Sequence, residues 1–247
     1  MSEIAPDRTE ANRRFRRDVV SFVRRSNRMR PPHRRALAQY RDQLVIDVPR
    51  LDTSTSVHPD SALDLDREFG RQAPLIVEIG PGTGESLVPM ARARPECNIL
   101  AFEVYQPAIA RLLAALVTQQ VPNVRIVAAD AVPGLTHLLP ERSVDELWTF
   151  FPDPWPKSRH HKRRLVQPGF VDLVASRLKY RGRWRLATDW AGYAEAMRTL
   201  LDGHPGLVAE HDHEWAARWE GRPLTRFEQR GLAAGRRVFD LTYRRVS

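Results

Sequence analysis

One cysteine in 247 residues excludes an intramolecular disulfide and any cysteine-rich metal site. Cys97 therefore reads as a small buried hydrophobe. No apolar run is long enough to span a bilayer or to serve as a secretory signal, which points to a cytoplasmic protein with no membrane partner. Internal repeats and low-complexity tracts are absent as well. Acidic residues are in deficit: 30 Asp and Glu stand against 39 Lys and Arg, a net charge of +9 with histidine neutral. A polyanionic partner is expected from that surplus, since each phosphate neutralised releases counterions. The length suits one substantial core better than two.

The run Leu75-Ile-Val-Glu-Ile79 is short, apolar and β-branched, the pattern of a buried parallel strand. Gly80, Gly82 and Gly84 follow it, where a backbone must turn sharply and approach a ligand. The dinucleotide fingerprint G-x-G-x-x-G is missing, because Glu85 takes the place of its third glycine. Glu78 sharpens the distinction: a carboxylate beside the loop repels a pyrophosphate and attracts a cation. S-adenosylmethionine carries a sulfonium and an ammonium and no phosphate, so the loop reads as a methyl-donor site. A second apolar run, Ile99–Val104, contains Glu103 near its end, where ribose hydroxyls are held in such sheets. A third, Val124–Ala129, runs into Asp130, placed to accept from an adenine amino group. Each acid alone is an ordinary strand-end or cap residue. Three in succession after a glycine loop make an adenosyl site.

The stretch Phe150-Phe-Pro-Asp-Pro-Trp-Pro-Lys-Ser-Arg-His-His-Lys-Arg-Arg164 joins a carboxylate in a proline-restricted turn, Asp153, to a flat aromatic, Trp155, and a dense cationic run. An acid and an aromatic beside phosphate-binding charge suit chemistry on a nucleobase. A strand end followed by a solvated basic loop is the plainer alternative. Trp155 either stacks on a base or closes the turn as core. Lys157, Arg159, Lys162, Arg163 and Arg164 read as RNA-backbone contacts, which position a substrate without reading sequence. His160 and His161 sit in the same cationic context and are poor metal ligands, and no metal site is expected.

From about Ala73 the chain alternates strand and helix with short connections, the mark of a doubly wound, mostly parallel α/β sheet. Helices are predicted over Glu85–Ala93, Gln106–Gln119, Phe170–Lys179 and Tyr193–Leu201. Strands are predicted over Glu146–Phe151 and Arg183–Thr188, with a final antiparallel pair near Gly206–Glu210 and Val238–Tyr243. The acids Glu78, Glu103, Asp130, Asp153 and Asp189 then converge on one sheet edge, where ligands of open α/β sheets bind. Asp189 also suits a helix cap, and Thr225 to Glu228 has capping-box spacing.

The chain resembles the bacterial tRNA (guanine-N7-)-methyltransferases. The resemblance lies in Val77-Glu-Ile-Gly-Pro-Gly-Thr-Gly84, Phe102-Glu-Val104, Phe151-Pro-Asp-Pro-Trp-Pro-Lys157, Arg159-His-His-Lys-Arg-Arg164, Thr188-Asp-Trp190 and Thr225-Arg-Phe-Glu-Gln-Arg-Gly231. Arg226 stands where many relatives have Lys, and the extreme N-terminus follows no family pattern. The resemblance implies a Rossmann-like class I methyltransferase with a seven-stranded sheet, a C-terminal hairpin and helices on both faces. It further implies S-adenosylmethionine as donor and position 46 of the tRNA variable loop as target. Lys157, Asp189, Thr225, Arg226, Phe227 and Glu228 fall on its substrate side. Monomer and homodimer are both compatible with it.

Two rivals differ in acceptor or in activity. Adenine or cytosine amino-methyltransferases carry an Asp-Pro-Pro-Tyr type of turn, whereas Asp153-Pro-Trp155 lacks the second proline. A non-catalytic RNA binder would have no use for the glycine loop and its acids. Residues 1–60 form an arginine-dense arm, either solvated or ordered by RNA, with Phe15, Val19, Phe22 and Val23 spaced for one helical face; residues 61–247 form the catalytic domain.

Overall fold

The computed structural model describes residue 22 and residues 29–247. Phe22 is half-buried, while the expected helical face it would share with Phe15, Val19 and Val23 lies outside the described residues.

The sequence builds one sheet from its β-branched runs: β1 (Val45–Ile46), β2 (Leu75–Ile79), β3 (Asn98–Phe102), β4 (Val124–Val127), β5 (Val144–Phe150), β6 (Leu178–Thr188), β7 (Leu207–Ala209) and β8 (Phe239–Arg245). Their order across the sheet is β1-β4-β3-β2-β5-β6-β8-β7. The pairs from β1 to β6 are parallel, and β8 lies antiparallel between β6 and β7. Among the described residues the sheet thus has eight strands, one more than the seven expected. The additional strand is β1, whose Val45 and Ile46 pair with Ile126 and Val127. It is delivered by α1 (Pro31–Leu44), a helix entered through a proline in its first turn, where a missing N–H costs nothing.

Five further helices follow strands of the sheet: α3 (Leu87–Arg92), α4 (Gln106–Thr118), α5 (Ala131–Leu138), α6 (Pro168–Arg177) and α7 (Ala191–Asp202). Two others are α2 (Leu65–Phe69) and α8 (Arg226–Ala233). The expected helix ending at Lys179 stops earlier, because Leu178 turns extended and opens β6. Two apolar layers sandwich the sheet. One centres on Leu100, Trp184 and Tyr193, the other on Ile109, Leu112 and Trp148. The two buried tryptophans keep their polar ends satisfied: Trp184 donates to Thr149 Oγ1 (3.0 Å) and Trp148 to Glu146 Oε1 (2.9 Å). From β2 the chain winds outward through β3 and β4, then returns to the other side of β2 with β5. That reversal opens a crevice at the carboxyl ends of β2 and β5.

Candidate active site

A cavity of about 720 Å³ occupies this crevice. Its wall includes Gly80 and Gly82 after β2, Glu103 after β3, Asp130 after β4 and Asp153 after β5. Residues spread over the sequence from the glycine loop to the proline turn are thus brought together by the parallel sheet alone.

The loop after β2 needs its glycines. Gly80 and Gly82 have φ of +70° and +58°, a region that suits glycine, and a Cβ on either would meet no described atom within 4 Å. The space beside them is therefore open to a ligand rather than filled by packing. Gly84 (φ +80°) differs: a Cβ there would lie 2.4 Å from Leu112 Cδ1, so the loop is seated directly on α4. Glu103 ties the other side, its Oε2 accepting from Gly82 N–H (3.0 Å) and its Oε1 from the amides of Val104 and Tyr105 (both 2.8 Å). Asp130 caps α5 by accepting from Val132 N–H (3.0 Å), and burial raises its pKa against that hydrogen bond.

Glu78 is the outlier. It is 2% exposed, and its Oε2 has no hydrogen-bond partner among the described residues. Burial first, and then the Glu103 carboxylate, push its pKa up to about 8, against a weaker hydrogen bond from Ser86. Glu78 itself is not on the cavity wall: it lies on β2 two residues before Gly80, buried and with no ion-pair partner among the described residues, a setting that a nearby positive charge would relieve. These residues fit S-adenosylmethionine: a cationic ligand would favour the ionised form of Glu78, the open backbone at Gly80 and Gly82 gives room, and Glu103 and Asp130 present acceptors on the adjoining loops.

The proline turn is built with unusual rigidity. Phe151 and Trp155, at φ +51° and +44°, flank Pro152-Asp153-Pro154, so two residues in the left-handed region bracket two prolines. Phe151 N–H donates to Ala187 O (2.7 Å), extending the β5–β6 ladder into the turn. Arg164 clamps it from below: Nε donates to Pro154 O (3.0 Å), Nη1 to Gly192 O (3.2 Å), and the guanidinium lies 4.7 Å from the Tyr193 ring centre. Arg164 is only 6% exposed, so the structure places it inside the turn, apart from the exposed cations expected to share its role. Ser158–Arg163 forms a 3-10 helix on the surface, with Lys157, Arg159, Lys162 and Arg163 exposed. Trp155 lies beneath it, with Arg163 5.0 Å above its ring and the His160 ring edge-on at 5.9 Å. Desolvation and then the surrounding cations Arg159, Arg163, Lys157 and Lys162 lower the His160 pKa.

The remaining expected residues, Asp189 and Thr225 to Glu228, are not on the cavity wall. Asp189, after β6, pairs with Arg236 at 3.1 Å; α7 takes Trp190 as its N-cap with no side-chain cap. Thr225 does cap α8, accepting from Glu228 N–H (3.2 Å). Glu228 itself is 1% exposed and held by Arg218 (3.0 Å) and Arg222 (2.8 Å), which places it in the interior. Arg226 and Phe227 are exposed on the first turn of α8, and Phe227 packs edge-on against Phe151 at 5.2 Å. Sequence reading missed Phe22, Arg30, His33, Tyr105 and Arg111 on the cavity wall. Phe22 figures in the sequence reading only as part of an N-terminal helical face; Arg30, His33, Tyr105 and Arg111 belong to no motif, and α1, which packs against α4, carries Arg30 and His33 at its start.

Comparison with known proteins agrees with this geometry. Residues 72–241 match a family model described as a putative methyltransferase. The chain is similar to the tRNA (guanine-N(7)-)-methyltransferase of Cutibacterium acnes, 50% identical over 99% of this chain and 89% of that protein. It is likewise similar to the proteins of that name from Nocardioides sp. (43% identical, 99% and 98% covered) and Alkalilimnicola ehrlichii (45%, 93% and 94%). Its fold is that of the 16S rRNA methyltransferase KamB, with a TM-score of 0.50 at 18% identity over 74% of this chain and 94% of that one. With its glycine loop, its strand-end acids and its proline turn gathered on one cavity, the chain belongs to the tRNA (guanine-N7-)-methyltransferase family.

Proposed function

We propose that the protein methylates N7 of a guanine in tRNA, at position 46 of the variable loop, with Asp153 stabilising the charge that develops on the base. Bound in the cavity, S-adenosylmethionine supplies a methyl group made electrophilic by its sulfonium. Guanine N7 carries an in-plane lone pair and attacks without prior loss of a proton, so no general base is needed. The displacement is in-line: the S–CH3 bond breaks as the N7–CH3 bond forms, its electron pair stays on sulfur, S-adenosylhomocysteine leaves, and positioning accounts for much of the acceleration. As the N7–methyl bond forms, the guanine gains positive charge. A carboxylate fixed nearby is then worth more in the transition state than in the ground state.

The observation that carries this reading is the place of Asp153: on the wall of the donor cavity, inside a turn locked by Arg164 and next to an exposed cationic helix. Glu78 and Glu103 hold the donor side of that cavity, with Asp130 toward the adenine. Lys157, Arg159, Lys162 and Arg163 hold RNA phosphates.

Incubation with unmodified tRNA and labelled donor, followed by digestion, identifies the product. N7-methylguanosine is expected, and its loss when the variable-loop guanine is replaced fixes the position. Asp153→Ala should lower turnover by about 10²–10³-fold with donor binding unchanged. Equal loss of turnover and donor binding would remove Asp153 from the chemical step.

A further inference from the structure

Glu85 stands where a dinucleotide loop has its third glycine, and nothing in the chemistry above uses it. Its carboxylate reaches across 141 residues of sequence to the start of α8. Glu85 Oε2 accepts the backbone N–H of Arg226 (3.1 Å), and Oε1 pairs with Arg226 Nε (3.2 Å). That N–H is a first-turn amide with no partner inside its own helix, and the helix N-terminus favours an anion there. The Arg226 side chain is 83% exposed, so its ion pair adds little, and the amide contact is the one that holds.

The next residue makes the second connection. Phe227 packs against Phe151, which leads into Pro152 and Asp153. Arg236 lies 5.6 Å from the Phe227 ring centre while pairing with Asp189. Adjacent residues of one helical turn therefore touch the methyl-donor loop on one side and the proline turn on the other. The donor loop just before Glu85 is held at two points, Gly84 against Leu112 and Gly82 N–H on Glu103.

We propose that Glu85 is a positioning residue that fastens the donor loop to α8, so that filling the donor cavity and seating the RNA favour one another. The inference rests on the reaction proposed above. Coupling of this kind is reciprocal: whatever factor the donor adds to RNA affinity, RNA adds to donor affinity.

The test is the dissociation constant of unmodified tRNA, with and without saturating S-adenosylhomocysteine. In the wild type the filled cavity should tighten RNA binding by about tenfold. In Glu85→Ala the ratio should fall to near one, while Glu85→Gln, which keeps an acceptor for the amide, should retain most of it. Phe227→Ala cuts the other half of the connection at a 43% exposed side chain and should also abolish the ratio, which keeps the test open if Glu85→Ala folds poorly. A wild-type ratio of one, or an unchanged ratio in both alanine variants, would overturn the inference. Nucleoside analysis of the same wild-type protein separates the two claims. N7-methylguanosine without coupling sinks the inference alone, and coupling without N7-methylguanosine sinks the proposed reaction alone.

Discussion

Two buried glutamates on neighbouring strands of one sheet have opposite fates. Glu146 lies on β5 opposite Ile76, toward the amino end of β2, and Glu78 lies on β2 toward its carboxyl end. Burial alone would raise the pKa of Glu146, but Arg185, Trp148 and Arg94 together carry it below the ordinary value. Arg185 and Arg94 both bond its carboxylate, and their guanidinium groups lie 4.5 and 5.1 Å from the Trp219 ring centre. Glu78 has no such company, and its pKa rises to about 8. The fold completes its electrostatics at Glu146 and, among the described residues, leaves them incomplete at Glu78, next to the glycine loop.

Substitutions at paired and unpaired acids should therefore differ in sign. The largest loss is expected at the most fully paired cluster, where Arg222 is 1% exposed between Glu228 (2.8 Å) and Asp240 (2.9 Å). Arg222→Met leaves buried Asp240 without its guanidinium partner and Glu228 with Arg218 alone, and should cost about 3–5 kcal/mol in urea unfolding. Glu146→Gln is smaller, because Arg94 and Arg185 keep partial access to water; a loss of about 1–3 kcal/mol is expected. A stability gain at either site would break the contrast.

Glu78→Gln should do the reverse. Between pH 4.5, its ordinary value, and about 8, the unfolded chain gives up the Glu78 proton while the native state keeps it. Native stability is thus lost as pH rises through that window, by at most about 1.4 kcal/mol per pH unit. The glutamine variant escapes this loss. Its Tm advantage over the wild type should widen from pH 5 to pH 8 and close below pH 4, and its donor affinity should fall. A pH-independent Tm difference would mean that Glu78 is paired after all.

The smallest effect on stability belongs to the exposed cations. Neutralising Lys157, Arg159, Lys162 and Arg163 should leave unfolding within about 0.5 kcal/mol. It should flatten the salt dependence of tRNA binding by about 0.7–0.9 in log–log slope per lost phosphate contact. Arg164→Gln should behave oppositely, loosening the turn with little change in slope.

Sequence made the strands legible because β2 to β4 are short runs of β-branched and apolar residues that end in acids. It also placed the donor loop and the proline turn, whose residue types admit few conformations. The edge was not legible. A two-residue strand such as β1 has no alternation to detect, and the arginines and prolines around α1 resemble a solvated tail. Helix α5 was hidden by Pro133 and Gly134, both helix breakers. Gly134 is there because a Cβ would lie 2.3 Å from the Phe102 ring, a fact about packing that no local pattern carries. Arg164 and Glu228 show the same limit in the site. Each lies in a charged run whose other members are exposed, and only tertiary contacts turn these two inward.

The alternation of prolines at 152, 154 and 156 has one more consequence. Each removes an amide hydrogen, and the amide of Phe151 is already spent on Ala187 O. The turn is therefore poor in donors and rich in oxygen, the inverse of the amide-lined hollows that cradle phosphate. Its backbone has little with which to grip an anion, so the work of holding one falls to the side chains that follow it. The turn's own chemistry is left suited to a partner that becomes electron-poor.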